Sequence, residues 1–212
     1  MFFIDRSDAG KKLAQALMSF KGQPAVVYGL PRGGVVLGAE VARALDAPLD
    51  LILVRKIGHP RFPEYAIGAV TDDGALKLNA EEAQTLNPTW IENIATQELR
   101  EARRRRVLYL GDSPPRSVEG KVAIVVDDGL ATGLTMEAAV GQLRKRHPKK
   151  IVIAVPVAAE ETVERLRDTV DELVTLYIPP GEFGAVGAFY RNFEQVSDED
   201  VVSLLKPQEP AP

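Results

Sequence analysis

Apolar and polar positions along the chain fall into two patterns that alternate. Short, almost wholly apolar and β-branched runs at Ala25–Leu30, Leu49–Val54, Val122–Val126, Lys150–Val155 and Glu172–Tyr177 read as buried strands of a parallel sheet. Between them lie stretches whose apolar residues recur every three to four positions. Residues 8–21 place Leu13, Ala16, Leu17 and Phe20 on one helical face, with Asp8 as cap and Gly22 as stop. A second helix is expected at Val35–Leu45, and a long third one after the cap and first-turn pair Asn87-Pro88, with Ile91, Ala95, Leu99 and Ala102 on one face. Met136, Ala139, Val140 and Leu143 mark a fourth, and Glu161–Val170 a fifth. Strand and helix in alternation predict an α/β fold, an open, mainly parallel sheet with helices on both faces and ligand at the carboxyl ends of the strands.

The pattern breaks in two places. After Val54 comes the basic pair Arg55-Lys56 and then residues 57–64, where two prolines and a glycine forbid regular structure before Tyr65–Val70 and a short ribbon at Thr71–Leu78. That loop reads either as a solvated hairpin tip or as a mobile lid carrying His59 and Arg61. His59 has no second histidine nearby in sequence, and Mg2+ prefers oxygen, so it is taken as a lid residue. The second break is the tail, where Phe183, Phe189, Tyr190 and Phe193 sit among glycines. Such aromatics either stack on a planar ligand or pack against the sheet edge. Residues 207–212 are expected to be an unstructured end.

Composition narrows this picture. The 212 residues, 45% hydrophobic and 26% charged, suit one α/β domain over residues 1–206. A net charge of -4 gives no general attraction to nucleic acid or to an anionic membrane, so an anion site must be local. Arg103–Arg106 is the densest charge in the chain. Cations at a helix C-terminus suit the dipole, and Glu101 can pair with Arg105, so the run is read as a solvated or subunit-facing helix end in a homo-oligomer, and nucleic acid is not an expected partner. With no cysteine, disulfides and thiolate chemistry are excluded. No apolar run reaches membrane-spanning length and the N-terminus lacks a basic-then-apolar order, so a cytoplasmic protein without membrane contact is expected.

Candidate chemistry concentrates in the turn after Val122–Val126. Two carboxylates, Asp127 and Asp128, stand at the carboxyl end of a strand, and Gly129-Leu-Ala-Thr-Gly-Leu-Thr135 follows into a helix. A helix start with free N–H groups is an anion site, and glycines let the backbone approach a phosphate. Carboxylates repel phosphate, so the acids must face sugar hydroxyls or a Mg2+ ion on the same ligand. A phosphate-binding loop of the Walker type needs a lysine before its hydroxyl residue, and here Leu134 precedes Thr135. The turn Gly29-Leu-Pro-Arg-Gly-Gly34 repeats the arrangement after the first strand, although close strand-to-helix packing also selects glycine there.

An apolar strand, two acids, small residues and Thr-Gly-x-Thr together resemble the 5-phosphoribosyl 1-diphosphate (PRPP) motif of type I phosphoribosyltransferases. The resemblance covers most of residues 25–178 and implies that family's fold, with a helical insertion near 80–108 and a hood near 179–195. It implies that Asp127 and Asp128 bind the ribose hydroxyls, directly or through Mg2+ as cofactor. By the same resemblance Gly129, Ala131, Thr132, Gly133, Leu134 and Thr135 hold the 5-phosphate. Pro31, Arg32, Gly33 and Gly34 match the family's pyrophosphate loop, where a strained or cis peptide at Arg32-Gly33 is expected. Arg55 and Lys56 are expected as further pyrophosphate contacts under the lid, and Phe183, Phe189 and Tyr190 as base contacts in the hood.

The implied reaction is transfer of a phosphoribosyl group from PRPP to a nitrogen acceptor, a nucleobase, with Arg32 and Lys56 stabilising the leaving pyrophosphate. Ala131 occupies the position where hypoxanthine and guanine enzymes carry an acid, which counts against an oxopurine mechanism of that kind. Two alternatives stay open: a regulator that binds PRPP or nucleotide without turnover, and an enzyme running the chemistry in reverse.

Overall fold

The computed structural model describes residues 2–63 and 65–206; the expected tail at 207–212 lies outside the described residues. In chain order the elements are α1 (Arg6–Ala16), β1 (Ala25–Gly29), α2 (Gly33–Leu45), β2 (Leu49–Leu51), β3 (Val54–Gly58), β4 (Ala66–Thr71), β5 (Leu76–Leu78), α3 (Ala80–Thr85) and α4 (Pro88–Leu110). They continue with β6 (Val122–Val126), α5 (Leu134–Arg144), β7 (Lys150–Val157), α6 (Glu160–Arg167), β8 (Glu172–Tyr177) and α7 (Asp198–Leu205).

Five strands form a parallel sheet in the order β2-β1-β6-β7-β8. The chain steps from β1 outward to β2, and from β6 outward through β7 to β8, so the order reverses between β1 and β6. At such a switch point the two following turns diverge to opposite faces and leave a crevice at the strands' carboxyl ends. Gly29 is in register with Val126, which brings the two turns singled out in the sequence side by side.

Alternation along the strands fills both faces of the sheet. Val27, Ile124 and Val152 point into a core closed by α1 and α2, including Leu13, Leu37 and Val41. Val26, Val125 and Ile153 point the other way, onto Met136, Leu143 and Leu166 of α5 and α6. Each of these side chains is at most 2% exposed.

Several elements differ from the sequence expectation. The cap of α1 is Asp5, which accepts from Asp8 N at 2.8 Å, so Asp8 lies inside the first turn. The expected strand Leu49–Val54 is split, because β1 has no residue left to pair beyond Gly29, the partner of Leu51. The chain then passes to a separate antiparallel sheet, β3-β4-β5, in which Asp72 N donates to Leu53 O at 3.0 Å. Ile57 and Gly58, expected in an irregular loop, belong to β3 with a register shift between them. Gly58 is required there, since a Cβ would lie 2.2 Å from the Pro63 carbonyl oxygen. The ribbon expected at Thr71–Leu78 reduces to β5. Helix α7 was not anticipated, yet it carries a sequence signal: Ser197 and Asp200 form a capping box ahead of Val201 and Leu205. Tyr109 of α4 donates to Asp198 Oδ1 at 2.6 Å and ties α7 down.

The arginine run at the end of α4 is paired within the molecule. Arg104 and Arg105 both bond Glu101 at 2.7 Å. Arg103 Nε reaches the Asp72 carbonyl at 3.2 Å, and Arg106 Nη1 meets Asp72 Oδ2 at 3.2 Å. Gln142 of α5 donates to the other Asp72 oxygen at 2.8 Å, so this carboxylate joins α4, α5 and the small sheet. Among the described residues no helix is long and apolar enough to cross a membrane.

The Asp72 side chain is 7% exposed and that of Arg106 17%. Breaking such a pair leaves a charge with too few partners, so Arg106→Gln should cost about 3 kcal/mol of stability in urea denaturation. Arg104→Gln, on the open side of the helix, should leave the midpoint where it was. Equal effects of the two substitutions would show that Asp72 does not hold this junction.

Candidate active site

The crevice between β1 and β6 is built by two turns pressed against each other. Leu30 N donates to Val126 O at 3.0 Å, extending the pairing one residue past the strands. The chain then turns through Pro31 and Arg32, with the peptide bond between these two residues cis, and α2 begins at Gly33. The cis bond thus lies one position before the expected Arg32-Gly33 bond. The two glycines face the acid-bearing turn directly. A Cβ on Gly34 would stand 2.6 Å from Val126 O and 2.8 Å from Asp127 Cα, and one on Gly33 would stand 1.9 Å from Asp128 Oδ2. The glycines are packing residues, and what they pack against is the acid pair.

Asp127 accepts from the Asp128 amide through Oδ1 at 2.8 Å. Asp128 accepts from Arg6 Nε through Oδ2 at 2.8 Å. Arg6, the first residue of α1, also donates Nη1 to Glu194 O at 2.6 Å, and its guanidinium carbon lies 3.7 Å from the centre of the Phe193 ring. Tyr190 donates its hydroxyl to Asp128 O at 2.5 Å, and a Cβ on Gly129 would be 2.4 Å from Val186 Cγ1. The C-terminal segment thus clamps the acid turn from outside. Burial pushes the Asp127 carboxyl well above its ordinary value, and the neighbouring Asp128 charge adds to the rise. Asp128 is raised by burial as well, with Arg6 pulling the other way. Arg6 was missed in the sequence: one arginine 122 positions from its partner carries no local signal.

The segment after the acids is anchored from α6. Leu130 N donates to Val157 O at 2.9 Å and extends the sheet pairing. Thr162 Oγ1 donates to Ala131 O at 2.5 Å, and Arg165 Nη2 donates to Thr132 O. Gly133 caps α5 in the left-handed region, φ 76°, a conformation that favours glycine. Leu134 and Thr135 form the first helical positions, where N–H groups lack helical partners. A cleft of about 630 Å3 opens beside this loop, lined by Thr132, Leu134, Glu137 and Arg165 with Lys77 and Phe183 across from them.

Pro31, Arg32, Gly33, Gly34, Asp127, Asp128 and Gly129 are thus brought together at the switch point, with Ala131–Thr135 continuing from them. Arg32 lies at the start of α2, its Nη1 3.8 Å from Asp198 Oδ1. Other expected residues lie elsewhere. Arg55 is paired with Glu98 of α4 at 2.8 Å, while Lys56, next along β3, falls on the opposite face and is exposed. His59 stacks on Phe62 and accepts from Arg61 N at 3.1 Å; both His59 and Arg61 border a second cleft against Trp90 and Asn93. Of the hood aromatics, Phe183 lines the main cleft, Phe189 stacks behind it with ring centres 5.3 Å apart, and Tyr190 is buried between Phe3 and Phe193. Among the described residues no group of three or more His, Cys, Asp or Glu could hold a metal by itself.

A family model described as "Phosphoribosyl transferase domain" matches residues 6–185. The chain belongs to the phosphoribosyltransferase family. Its open, mainly parallel five-stranded sheet is the architecture of the family's type I fold. It is 42% identical over 205 residues to two Mycobacterium tuberculosis proteins provisionally named phosphoribosyl transferases, covering 96% of this chain and 46% of theirs. The chain therefore spans about half the length of those relatives. The solved structure of the Thermus thermophilus protein TT1426 superimposes with a TM-score of 0.80 at 44% identity, covering 97% of this chain and 98% of that one. The switch-point crevice of this phosphoribosyltransferase fold is thus formed by the segments its sequence singled out.

The raised Asp127 carboxyl has a measurable consequence. A carboxyl whose pKa rises on folding favours the protonated native state, so its contribution is fully present below the unfolded value, about 4, and is lost as pH climbs through the folded value. Asp127→Asn should therefore raise the melting temperature of the ligand-free protein at pH 8, with the gain shrinking as pH falls towards 4. A variant that melts at or below the parent temperature at pH 8 would contradict this account of the buried acid.

Proposed function

We propose that the protein transfers a 5-phosphoribosyl group from PRPP to a nitrogen acceptor, a nucleobase, and releases pyrophosphate. The observation that carries this reading is the meeting of the Asp127-Asp128 turn with the Pro31–Gly34 turn at the switch point. It sets the two acids between a helix start on α2 and the glycine- and threonine-rich loop opening α5. In the reaction the bond from ribose C1 to the pyrophosphate oxygen breaks and a bond from C1 to the acceptor nitrogen forms, with the acceptor's N–H proton lost to solvent. No protein nucleophile is required. Positive charge builds on the ribose, so the protein's contribution is to hold PRPP and to stabilise the leaving group electrostatically.

In this reading Asp127 and Asp128 take the ribose hydroxyls through the oxygens not committed to the Asp128 amide and Arg6. The loop from Gly129 and Ala131 to Thr135 takes the 5-phosphate, and Pro31–Gly34 takes the pyrophosphate. Lys56, on the face of β3 opposite Arg55, is assigned the second cationic contact. Arg55 reaches pyrophosphate only by leaving Glu98. Phe183, which lines the cleft, is assigned the stacking contact with a base. Two adjacent carboxylates, each with one oxygen already paired, can supply only part of a coordination shell. That donor set fits Mg2+, which keeps several waters and takes its remaining oxygens from substrate phosphates. Mg2+ held by these acids would supply positive charge against the pyrophosphate oxygens.

PRPP with Mg2+ should stabilise the fold by about 2.7 kcal/mol at a hundredfold excess over its dissociation constant, seen as a rise in melting temperature. The double variant Asp127→Asn, Asp128→Asn should lose that rise. Pyrophosphate release from PRPP with each of a panel of nucleobases then identifies the acceptor. Binding of PRPP without release for any base would replace the transferase reading with that of a regulator.

A further inference from the structure

The loop from Ala131 to Thr135 contains no lysine or arginine, so its own sequence offers a phosphate only amides and hydroxyls. The structure brings a cation to it from α6. Thr162 and Arg165 stand three residues apart on one face of that helix. They bond successive carbonyls of the loop, Thr162 that of Ala131 at 2.5 Å and Arg165 that of Thr132. In a trans peptide the N–H points opposite to the C=O. Holding these two carbonyls against α6 therefore turns the amides of Thr132 and Gly133 away from it. The approach is close: a Cβ on Gly133 would lie 2.7 Å from Thr162 Cγ2 and 3.1 Å from Arg165 Nη2.

Arg165 is held in place on its other side. Its Nε donates to Glu137 Oε1 at 3.0 Å, and Lys77 from β5 meets the second oxygen of the same carboxylate at 3.2 Å. Glu137 is itself in the first turn of α5, so the guanidinium spans the loop from the Thr132 carbonyl to the helix start. A guanidinium has five N–H donors in a fixed plane, and only part of that set is used by these two contacts. The Arg165 side chain is 49% exposed and lines the 630 Å3 cleft, so its remaining donors are open to a ligand in that cleft. An ordinary surface ion pair between Arg165 and Glu137 would contribute little and would have no reason to reach the loop carbonyl.

We propose that Arg165 is a positioning residue of the phosphate subsite, holding the Thr132 carbonyl so that the Thr132 and Gly133 amides face a bound phosphate. The ligand class is a sugar phosphate whose phosphate group sits on the Thr132–Thr135 amides. This inference rests on the phosphoribosyl reading above. It adds to that reading a residue outside the sequence motif and predicts that the two anionic ends of the substrate depend on different side chains.

Isothermal titration of the full chain with Mg2+ and, separately, ribose 5-phosphate and pyrophosphate tests it. Arg165→Gln should weaken ribose 5-phosphate at least fivefold while pyrophosphate affinity stays within twofold, and Arg165→Lys should recover part of the loss. Arg165 is half exposed, so the fold should survive; if Arg165→Gln unfolds, Arg165→Met and Thr162→Val carry the comparison under the same fivefold and twofold limits. A smaller loss, an equal loss for both ligands, or no recovery with lysine overturns the assignment. A parent protein that takes up neither ligand overturns the phosphoribosyl reading itself, and this inference with it. A parent that binds both, with Arg165→Gln unchanged, overturns this inference alone.

Discussion

Two adjacent carboxylates stand in a crevice where water is scarce, and the fold is arranged around keeping them there. Burial raises the cost of each charge, and the Asp128 charge raises it further for Asp127. Apolar packing cannot relieve that cost; only a counter-charge and hydrogen bonds can. The chain supplies them from its two ends. Arg6 from the first helix meets Asp128, while Tyr190 and Glu194 from the last segment hold the acid turn and the arginine. The N- and C-terminal elements are thus part of the site, although neither lies in the central sheet.

The same crevice explains why the first turn is built from glycine. Closing β1 on β6 brings α2 to within a side chain's width of the acid turn, and at Gly33 and Gly34 there is no space for even one carbon. Glycine at these positions loses more conformational freedom on folding than any other residue, a cost that an unspecialised strand-to-helix turn would avoid by standing further off. The benefit of the close approach is geometric: the start of α2 and the acid pair can face one ligand together.

Around this rigid centre the supports differ in kind. The loop opening α5 is held by side chains of α6 bonding its carbonyls, whereas the small sheet of β3, β4 and β5 is tied to the body through the Asp72 network on α4 and α5. The loop at the tip of that small sheet borders a cleft of its own against α4. The fold therefore separates the switch-point crevice from a peripheral hairpin, and the sequence's split between apolar strands and the Pro- and Gly-broken stretch mirrors that division.

Local sequence was enough to specify the alternation of strands and helices, the buried status of Val122–Val126 and the chemistry of the turn after it. Side-chain period, β-branching and glycine placement all act within a few residues, so each leaves its mark where it operates. The Ser197 capping box belongs to the same class and was legible, though unread. What depends on contacts distant along the chain was settled only by packing. Leu49–Val54 divided between two sheets because β1 ran out of pairing partners. Arg55 went to Glu98, and Lys56 was left on the other face. Tyr190 was buried instead of standing open to a base, and Arg6 and Arg165 were brought to the acid pair and to the loop that follows it. An arginine's fork has no intrinsic partner; which carboxylate or carbonyl it meets is set by how the helices pack, and that information is spread over the whole core.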